Sequence, residues 1–206
     1  IELGHAVKMT EYIDEITEEY YQNCGFEEEK GAYRKAYQAF IRKMYAANSR
    51  EEIESAYEKV QQAFAGIPLR KPLHPLRVGI IGEFYTAMDP FSNFEVEQKL
   101  ADMGVEVYRW MTVSNRFLHY PGEKNLNVYI RDLCTYEMGP TSTANIWSAK
   151  KFAEQDFDGI IYIKSANCTP EIDVMPVLRN ISADYKVPIL YLTYDAQTSD
   201  VGLMTR

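Results

Sequence analysis

The sequence predicts an α/β fold in which three helices precede a parallel sheet. Apolar side chains recur at three- and four-residue steps through residues 1–66, as on the buried stripes of helices. From residue 76 onward, short apolar runs alternate with helical stretches, as in parallel sheets with helical crossovers. Residues 67–75 between them contain three prolines, which favour a linker. We therefore predict a helical segment over residues 1–70 and a Rossmann-like α/β domain of about four strands over residues 71–206.

Each helix of the first segment has a recognisable apolar face. The third helix also has a start signal, because Ser49 followed by Glu52 has the spacing of a capping box. The apolar faces consist of Met9, Ile13, Ile16 and Tyr20 in the first helix, Tyr33, Ala36, Tyr37, Phe40, Ile41, Met44 and Tyr45 in the second, and Ile53, Tyr57, Val60 and Phe64 in the third.

The second segment alternates strands and helices. Residues 76–82 form a nearly continuous apolar run, which is typical of a parallel strand covered on both faces. Asn93 is a suitable cap for the helix that follows. The predicted strands are residues 76–82, 105–111, 159–163 and 188–194, and the predicted helices are residues 94–103, 126–136, 143–155 and 171–186.

Composition narrows the classes of function. The net charge of −8 argues against a nucleic-acid-binding protein, which usually has a basic surface. No apolar run approaches the ~18 residues of a membrane span, and no secretory signal is visible. Three scattered cysteines do not form a disulfide framework, so we expect a reducing compartment, the cytoplasm. The chain begins at Ile1 rather than Met, and we expect it to be part of a longer polypeptide.

Three loops should meet at the carboxyl edge of the sheet, where open α/β sheets place ligands. Cys168 lies in the loop between the third strand and its helix, and a helix N-terminus favours a thiolate electrostatically. The ordinary alternative is that Cys168 is a small buried apolar side chain. Cys24 and Cys134, at a helix end and within a predicted helix, are interpreted as structural. The sequence has no C-x-x-C motif, and no two histidines have metal-ligand spacing.

The other two loops supply further candidates. Glu83 and Tyr85 follow the first strand, and Asp195, Gln197 and Thr198 follow the last strand. We expect Glu83, Tyr85, Asp195 and Thr198 to line a ligand cleft with Cys168. The simpler alternatives are a turn at Asp89-Pro90 and a helix cap at Thr198 or Ser199. A dinucleotide or P-loop site has no support, because G-x-G-x-x-G and the Walker lysine are absent.

These loops carry a resemblance to a known family. The segments 78–85, 89–93, 168–171, 188–195 and 197–199, with residues 202–206, resemble the 2-hydroxyacyl-CoA dehydratase (2-hydroxyglutaryl-CoA dehydratase D-component) family. The chain is most similar to its subgroup related to CoA-substrate-specific enzyme activases. The resemblance spans roughly residues 76–206, and it is carried by the motifs together rather than by any single one.

The resemblance implies a redox function. Members bind a [4Fe–4S] or double-cubane cluster between two Rossmann-like domains, and an ATP-hydrolysing activase delivers an electron to it. In the dehydratases the electron passes to a 2-hydroxyacyl-CoA, which forms a ketyl radical and loses water. By this resemblance Cys168 is a cluster and metal ligand. Further thiolates would come from a first domain that this chain lacks, so the chain alone should neither hold a complete cluster nor turn over substrate.

Three functional hypotheses follow. The first is a second-domain part of an iron–sulfur protein that takes part in low-potential electron transfer or reductive dehydration of an acyl-CoA, in a homo- or heterodimer. The second is a non-catalytic partner or regulatory scaffold of an activase. The third is a small-molecule-binding α/β module in which Cys168 is structural.

Overall fold

The computed structural model describes residues 3–195 and 197–198. Ser199 and the segment 202–206, which carries part of the family resemblance, lie outside the described residues. The strands are β1 (Leu76–Gly82), β2 (Val105–Arg109), β3 (Gly159–Ser165) and β4 (Ile189–Tyr194). The helices are α1 (Leu3–Asn23), α2 (Ala32–Ala46), α3 (Arg50–Ala65), α4 (Phe84–Met88), α5 (Val96–Asp102), α6 (Val113–Phe117), α7 (Glu123–Tyr129), α8 (Pro140–Glu154) and α9 (Thr169–Tyr185).

The four strands form one parallel sheet in the order β2-β1-β3-β4, which confirms the predicted fold class. In the register, Gly82 of β1 lies opposite Ile163 of β3, and Ser165 of β3 lies opposite Tyr194 of β4. From β1 the chain continues to β2 on one side, and from β3 it continues to β4 on the other side. The gap between β1 and β3 is therefore the topological switch point, where ligands of open α/β sheets usually bind.

The chain divides into two compact units. One comprises residues 1–75, 97–107 and 112–119, and the other comprises residues 76–96, 108–111 and 120–206. The first change of unit, between Pro75 and Leu76, falls near the predicted boundary at residues 70–71, although parts of the later sequence belong to the first unit. The assignment of two domains stays a prediction.

The helices of the first unit form where their sequence patterns predict, but Tyr45, predicted on the apolar face of α2, is 87% exposed. Ile16 and Tyr20 of α1 are buried, as are Phe40 and Met44 of α2. At the start of α3, the Ser49 side chain accepts a hydrogen bond from Glu52 N, so the predicted cap is confirmed. The apolar faces of these helices thus form a core of their own.

All four helices predicted in the second segment have different bounds in the structure. Helices α8 and α9 begin three and two residues before their predicted starts, and each ends one residue earlier than predicted. The helix predicted at residue 94 begins at Val96, because Phe94 and Glu95 have a φ of 55°, which is incompatible with a right-handed helix. Asn93 still caps it, since its Oδ1 accepts a hydrogen bond from Val96 N at 3.2 Å. The helix predicted over residues 126–136 is α7, which ends at Tyr129.

The earlier end of α7 corrects the setting of Cys134. Cys134 lies after α7 rather than within a helix, and its thiol donates to Tyr136 O at 3.2 Å. It is nevertheless buried against the core of the α/β unit, beside Ile130 and Ile146. Sequence reasoning also placed no helix over residues 83–92 or 112–125, where the short helices α4 and α6 form.

The second unit is centred on β1, β3 and the inner faces of α8 and α9. Its core includes Ile81, Tyr162, Ala149 and Leu178, all nearly inaccessible to solvent. No helix in the described part of the chain combines the length and the apolar character needed to cross a bilayer.

Candidate functional site

Cys168 is the residue that caps the N-terminus of α9, three residues after β3 ends. Its own side chain makes no capping hydrogen bond, while its backbone N–H donates to Ser165 O at 3.3 Å. The side chain is partly exposed, whereas Cys24 and Cys134 are buried. Of the three thiols, Cys168 therefore has the best access to solvent at the carboxyl edge of the sheet.

Glu83 follows β1 on the other side of the switch point. Its backbone N–H donates to Ile163 O at 2.8 Å, which fixes the end of β1 against β3. Its carboxylate caps α4 by accepting hydrogen bonds from Tyr85 N, Thr86 N and the Thr86 hydroxyl. Glu83 is thus a partly buried cap, and the Tyr85 side chain beside it is 66% exposed.

Asp195 and Thr198 form a local turn after β4. Thr198 Oγ1 donates to Asp195 Oδ1 at 2.9 Å, and Gln197 N donates to the same oxygen at 2.9 Å. Asp195 N in turn donates to Thr198 Oγ1. The turn stands at the carboxyl end of β4, the strand that neighbours β3 on the side away from β1. The structure therefore places Glu83 and Cys168 at the ends of the two strands that border the switch point, and Asp195 and Thr198 one strand further out.

Sequence reasoning missed a buried polar cluster between these candidates, built around Glu171. Glu171, in the first turn of α9, is 0% exposed. Its Oε2 accepts hydrogen bonds from the Tyr162 hydroxyl and from Asn145 Nδ2, the latter at 2.9 Å. Its Oε1 has no partner among the described residues. Burial, reinforced by the nearby Glu83 carboxylate, raises the pKa of Glu171 to about 7, although Tyr162, Asn145 and Lys164 oppose this shift.

Asn145 ties the cluster to the end of β1. Its Nδ2 also donates to Gly82 O at 3.1 Å, and its Oδ1 accepts from Gly82 N at 2.9 Å. The Glu171 carboxyl is therefore held beside the last residue of β1, at the switch point. There was little indication of this role for Asn145 in the sequence, because a polar residue within a predicted helix is usually exposed.

Lys164 is the second group that sequence reasoning passed over. It lies near the end of β3 and is only 6% exposed. Its ammonium group makes one long hydrogen bond, to Ser165 O at 3.4 Å, and no ion pair with a described carboxylate. Burying a charge without a close counter-charge is costly, so this lysine stands out as a candidate functional residue.

The site can therefore offer one accessible thiol, a buried carboxyl and a buried ammonium. A partly exposed thiol at a helix N-terminus fits one ligand position of an iron–sulfur cluster, since such clusters are held by several cysteine thiolates. In residues 3–195 and 197–198, no three His, Cys, Asp or Glu side chains are grouped to hold a metal ion. No protein-family model and no curated protein matches this sequence.

Proposed function

We propose that this chain is the second-domain part of an iron–sulfur protein resembling the 2-hydroxyacyl-CoA dehydratases. It takes part in ATP-driven low-potential electron transfer or reductive dehydration of an acyl-CoA. The observation that supports the proposal is the partly exposed Cys168 sulfur beside the switch point of a parallel sheet. The site lies where α/β proteins bind their ligands, and the thiol is of the kind that ligates iron.

Within this function, the residues of the chain have separate tasks. Cys168 supplies one thiolate from the N-terminus of α9. Glu83 holds the end of β1 against β3 and so fixes the edge from which the thiolate projects. When bound, the cluster supplies a low-potential one-electron carrier. The remaining thiolates come from outside the described residues, and the electron comes from an ATP-dependent activase.

The same proposal assigns a compartment and an assembly. The cytoplasm would keep Cys24, Cys134 and Cys168 reduced, in agreement with the three free thiols of the structure. A homo- or heterodimer would allow a neighbouring domain to complete the site.

The test is the iron and acid-labile sulfide content of the complete protein, purified without oxygen. We expect bound iron with the broad visible absorbance of a cluster, and the loss of both in Cys168→Ser, because serine is a poor ligand for iron. Cys134→Ser is the matched control, since that thiol is buried and bonded to Tyr136 O. Equal iron in the wild type and Cys168→Ser would exclude Cys168 as a ligand.

A second candidate function is a small-molecule-binding module in which Cys168 is structural. It is favoured by the buried Glu171 carboxyl, whose Oε1 lacks a partner, and by the Lys164 ammonium beside it. This candidate predicts that the complete protein lacks iron and that Cys168→Ser binds the small molecule as tightly as the wild type.

A further inference from the structure

Lys164 and Glu171 lie on the same side of the sheet, near its carboxyl edge. Side chains alternate along a strand, so Lys164 projects from the same face of β3 as Tyr162. Tyr162 projects toward α9, because its hydroxyl donates to Glu171 O at 2.6 Å. Lys164 is therefore directed toward the first turn of α9, and it is close enough to Glu171 to lower the pKa of that carboxyl.

The first turn of α9 offers unused hydrogen-bond donors at this place. The helix has 17 residues, and its capping residue makes no side-chain cap. Pro170 has no N–H, and Ile172 N donates to Cys168 O. In the part of the chain that the structure describes, Thr169 N and Glu171 N have no acceptor. Thr169 is exposed and Cys168 partly exposed, so the turn is open to solvent.

Glu171 is a third donor when it is protonated. A proton on Oε1 would have no acceptor among the described residues, whereas one on Oε2 would be accepted by the Tyr162 hydroxyl oxygen, whose own proton goes to Glu171 O. Burial raises the pKa of Glu171 to about 7, so the protonated form is well populated at neutral pH. The group is fully buried, and an unsatisfied hydroxyl there is costly unless a bound atom accepts its proton.

We propose that the groups at the carboxyl end of β3 and in the first turn of α9 bind a small oxyanion, a carboxylate or a phosphate-like group. The Lys164 ammonium, the free N–H groups of the first turn and the protonated Glu171 carboxyl are its donors. One anion would satisfy all three groups, which otherwise lack strong partners. This site is distinct from the proposed iron ligand and needs no iron.

The charged and titratable groups around Glu171 are consistent with this site. Lys164 and Tyr162 face it from β3, Cys168 caps α9 three residues before it, and Glu83 faces it from the loop after β1. The Glu83 carboxylate is occupied by the cap of α4. Tyr162 stays neutral, since burial raises its pKa well above the usual range, with a further contribution from Glu171. Lys164 is thus the one cation of this set.

The experiment is sulfate and acetate binding to the full chain, measured by titration calorimetry between about pH 6 and 8, because neither anion titrates in this range. We expect one site, with affinity falling as pH rises through about 7, since an ionised Glu171 repels the anion. Lys164→Met should weaken binding about tenfold or more, the loss of one charge-assisted hydrogen bond. Glu171→Gln keeps a donor and should bind without pH dependence. Tighter binding of sulfate would indicate a phosphate-like ligand, and tighter binding of acetate would indicate a carboxylate.

Lys150→Met is the matched control. Lys150 is also a buried lysine, but its ammonium is paired with Asp132 at 2.7 Å. This variant should bind sulfate like the wild type, and circular dichroism should show each variant folded. Absent binding, or equal binding in the wild type and folded Lys164→Met, would overturn the site. Binding that appears only after iron is stripped from the complete protein would also overturn it, because the donors would then serve the cluster.

Discussion

At the residue scale, the most unusual group is the Glu171 carboxyl, which is 0% exposed and has no ion-pair partner among the described residues. Taking a carboxylate out of water disfavours its charged form. The Glu83 carboxylate adds repulsion, while the hydrogen bonds from Tyr162 and Asn145 and the Lys164 charge act in the other direction. Burial dominates, so the protein holds a carboxyl that ionises near neutral pH rather than near 4.5.

This shift predicts a loss of stability with rising pH. The unfolded chain ionises Glu171 near 4.5 and the folded chain near 7, so between these values the folded state holds the extra proton. Its stabilising effect is complete below about pH 4.5 and is lost as pH rises to about 7. Relative to Glu171→Gln, the wild type should lose about 3 kcal/mol of unfolding free energy between about pH 4 and 8, measured by urea unfolding.

The variant Glu154→Gln controls for general charge effects, because Glu154 lies at the end of α8 and is exposed. It should follow the pH dependence of the wild type closely. If the wild type and Glu171→Gln keep a constant difference across this range, Glu171 does not ionise near neutral pH.

Sequence reasoning reached only part of the site at this scale. Cys168 was singled out because it lies between a predicted strand and a predicted helix, at the edge of the sheet where open α/β sheets place ligands. Asn145 was not found, because its function depends on Gly82, which is 63 residues away in the chain. Lys164 was also missed, since a lysine at a strand end normally reaches solvent and its burial depends on the packing of α9. Local patterns carry no information on such contacts.

At the scale of elements, α8 packs on β1 because β1 has a glycine where the helix approaches. A Cβ built on Gly79 would lie 2.3 Å from the Phe152 ring of α8, far inside van der Waals contact. The same helix holds Asn145 against Gly82, so its distance from β1 also sets the geometry of the polar cluster. A change in the packing of α8 on β1 should therefore also move Asn145 relative to Gly82.

We predict that Gly79→Ala destabilises the protein by about 1–3 kcal/mol, because the added methyl group overpacks the interface of α8 and β1. Gly79→Ala combined with Phe152→Leu should cost less than the sum of the two single changes, since the smaller side chain makes room for the methyl group. Urea unfolding of the four proteins in this cycle measures the coupling. Strict additivity would show that the two residues do not compete for space.

Elements with a strong local signal were the ones predicted well. Strand β1 was predicted with its observed bounds, because its apolar run ends at a glycine. The start of α5 was predicted two residues too early, because Phe94 and Glu95 have a positive φ. Residues of these types rarely adopt a positive φ, so the sequence does not indicate it. The end of α7 was placed too late because apolar residues continue beyond it, but they pack from a turn rather than from a helix.

At the scale of the whole molecule, alternating strands and helices predicted a parallel sheet but not the order of its strands. The order depends on which side of β1 each crossover returns, and that choice is made by packing of the helices. The switch point between β1 and β3 could therefore be located only in the structure. It explains why the buried polar cluster lies at the carboxyl ends of these two strands, where Asn145 of α8 and Glu171 of α9 meet Gly82 of β1 and Tyr162 of β3.

The division of the chain into two compact units can be followed through its cysteines. Cys24 belongs to one unit and Cys134 to the other, and both are buried, with 6% and 7% of their surface exposed. Burial raises the pKa of Cys24 to about 11, which further suppresses its reactivity. The strand β2 contains residues of both units, Val105–Val107 of one and Tyr108–Arg109 of the other.

We therefore predict that iodoacetamide modifies Cys168 in the native protein, while Cys24 and Cys134 react only after unfolding. Because both of these thiols are buried, each should become reactive only in the range of urea concentration that unfolds its own unit. Mass spectrometry of peptides after brief labelling at each urea concentration measures the three sites separately. Serine variants at one cysteine at a time test whether labelling itself shifts the transition. Reaction of Cys24 or Cys134 without urea would instead mean that the thiol is accessible in the native protein.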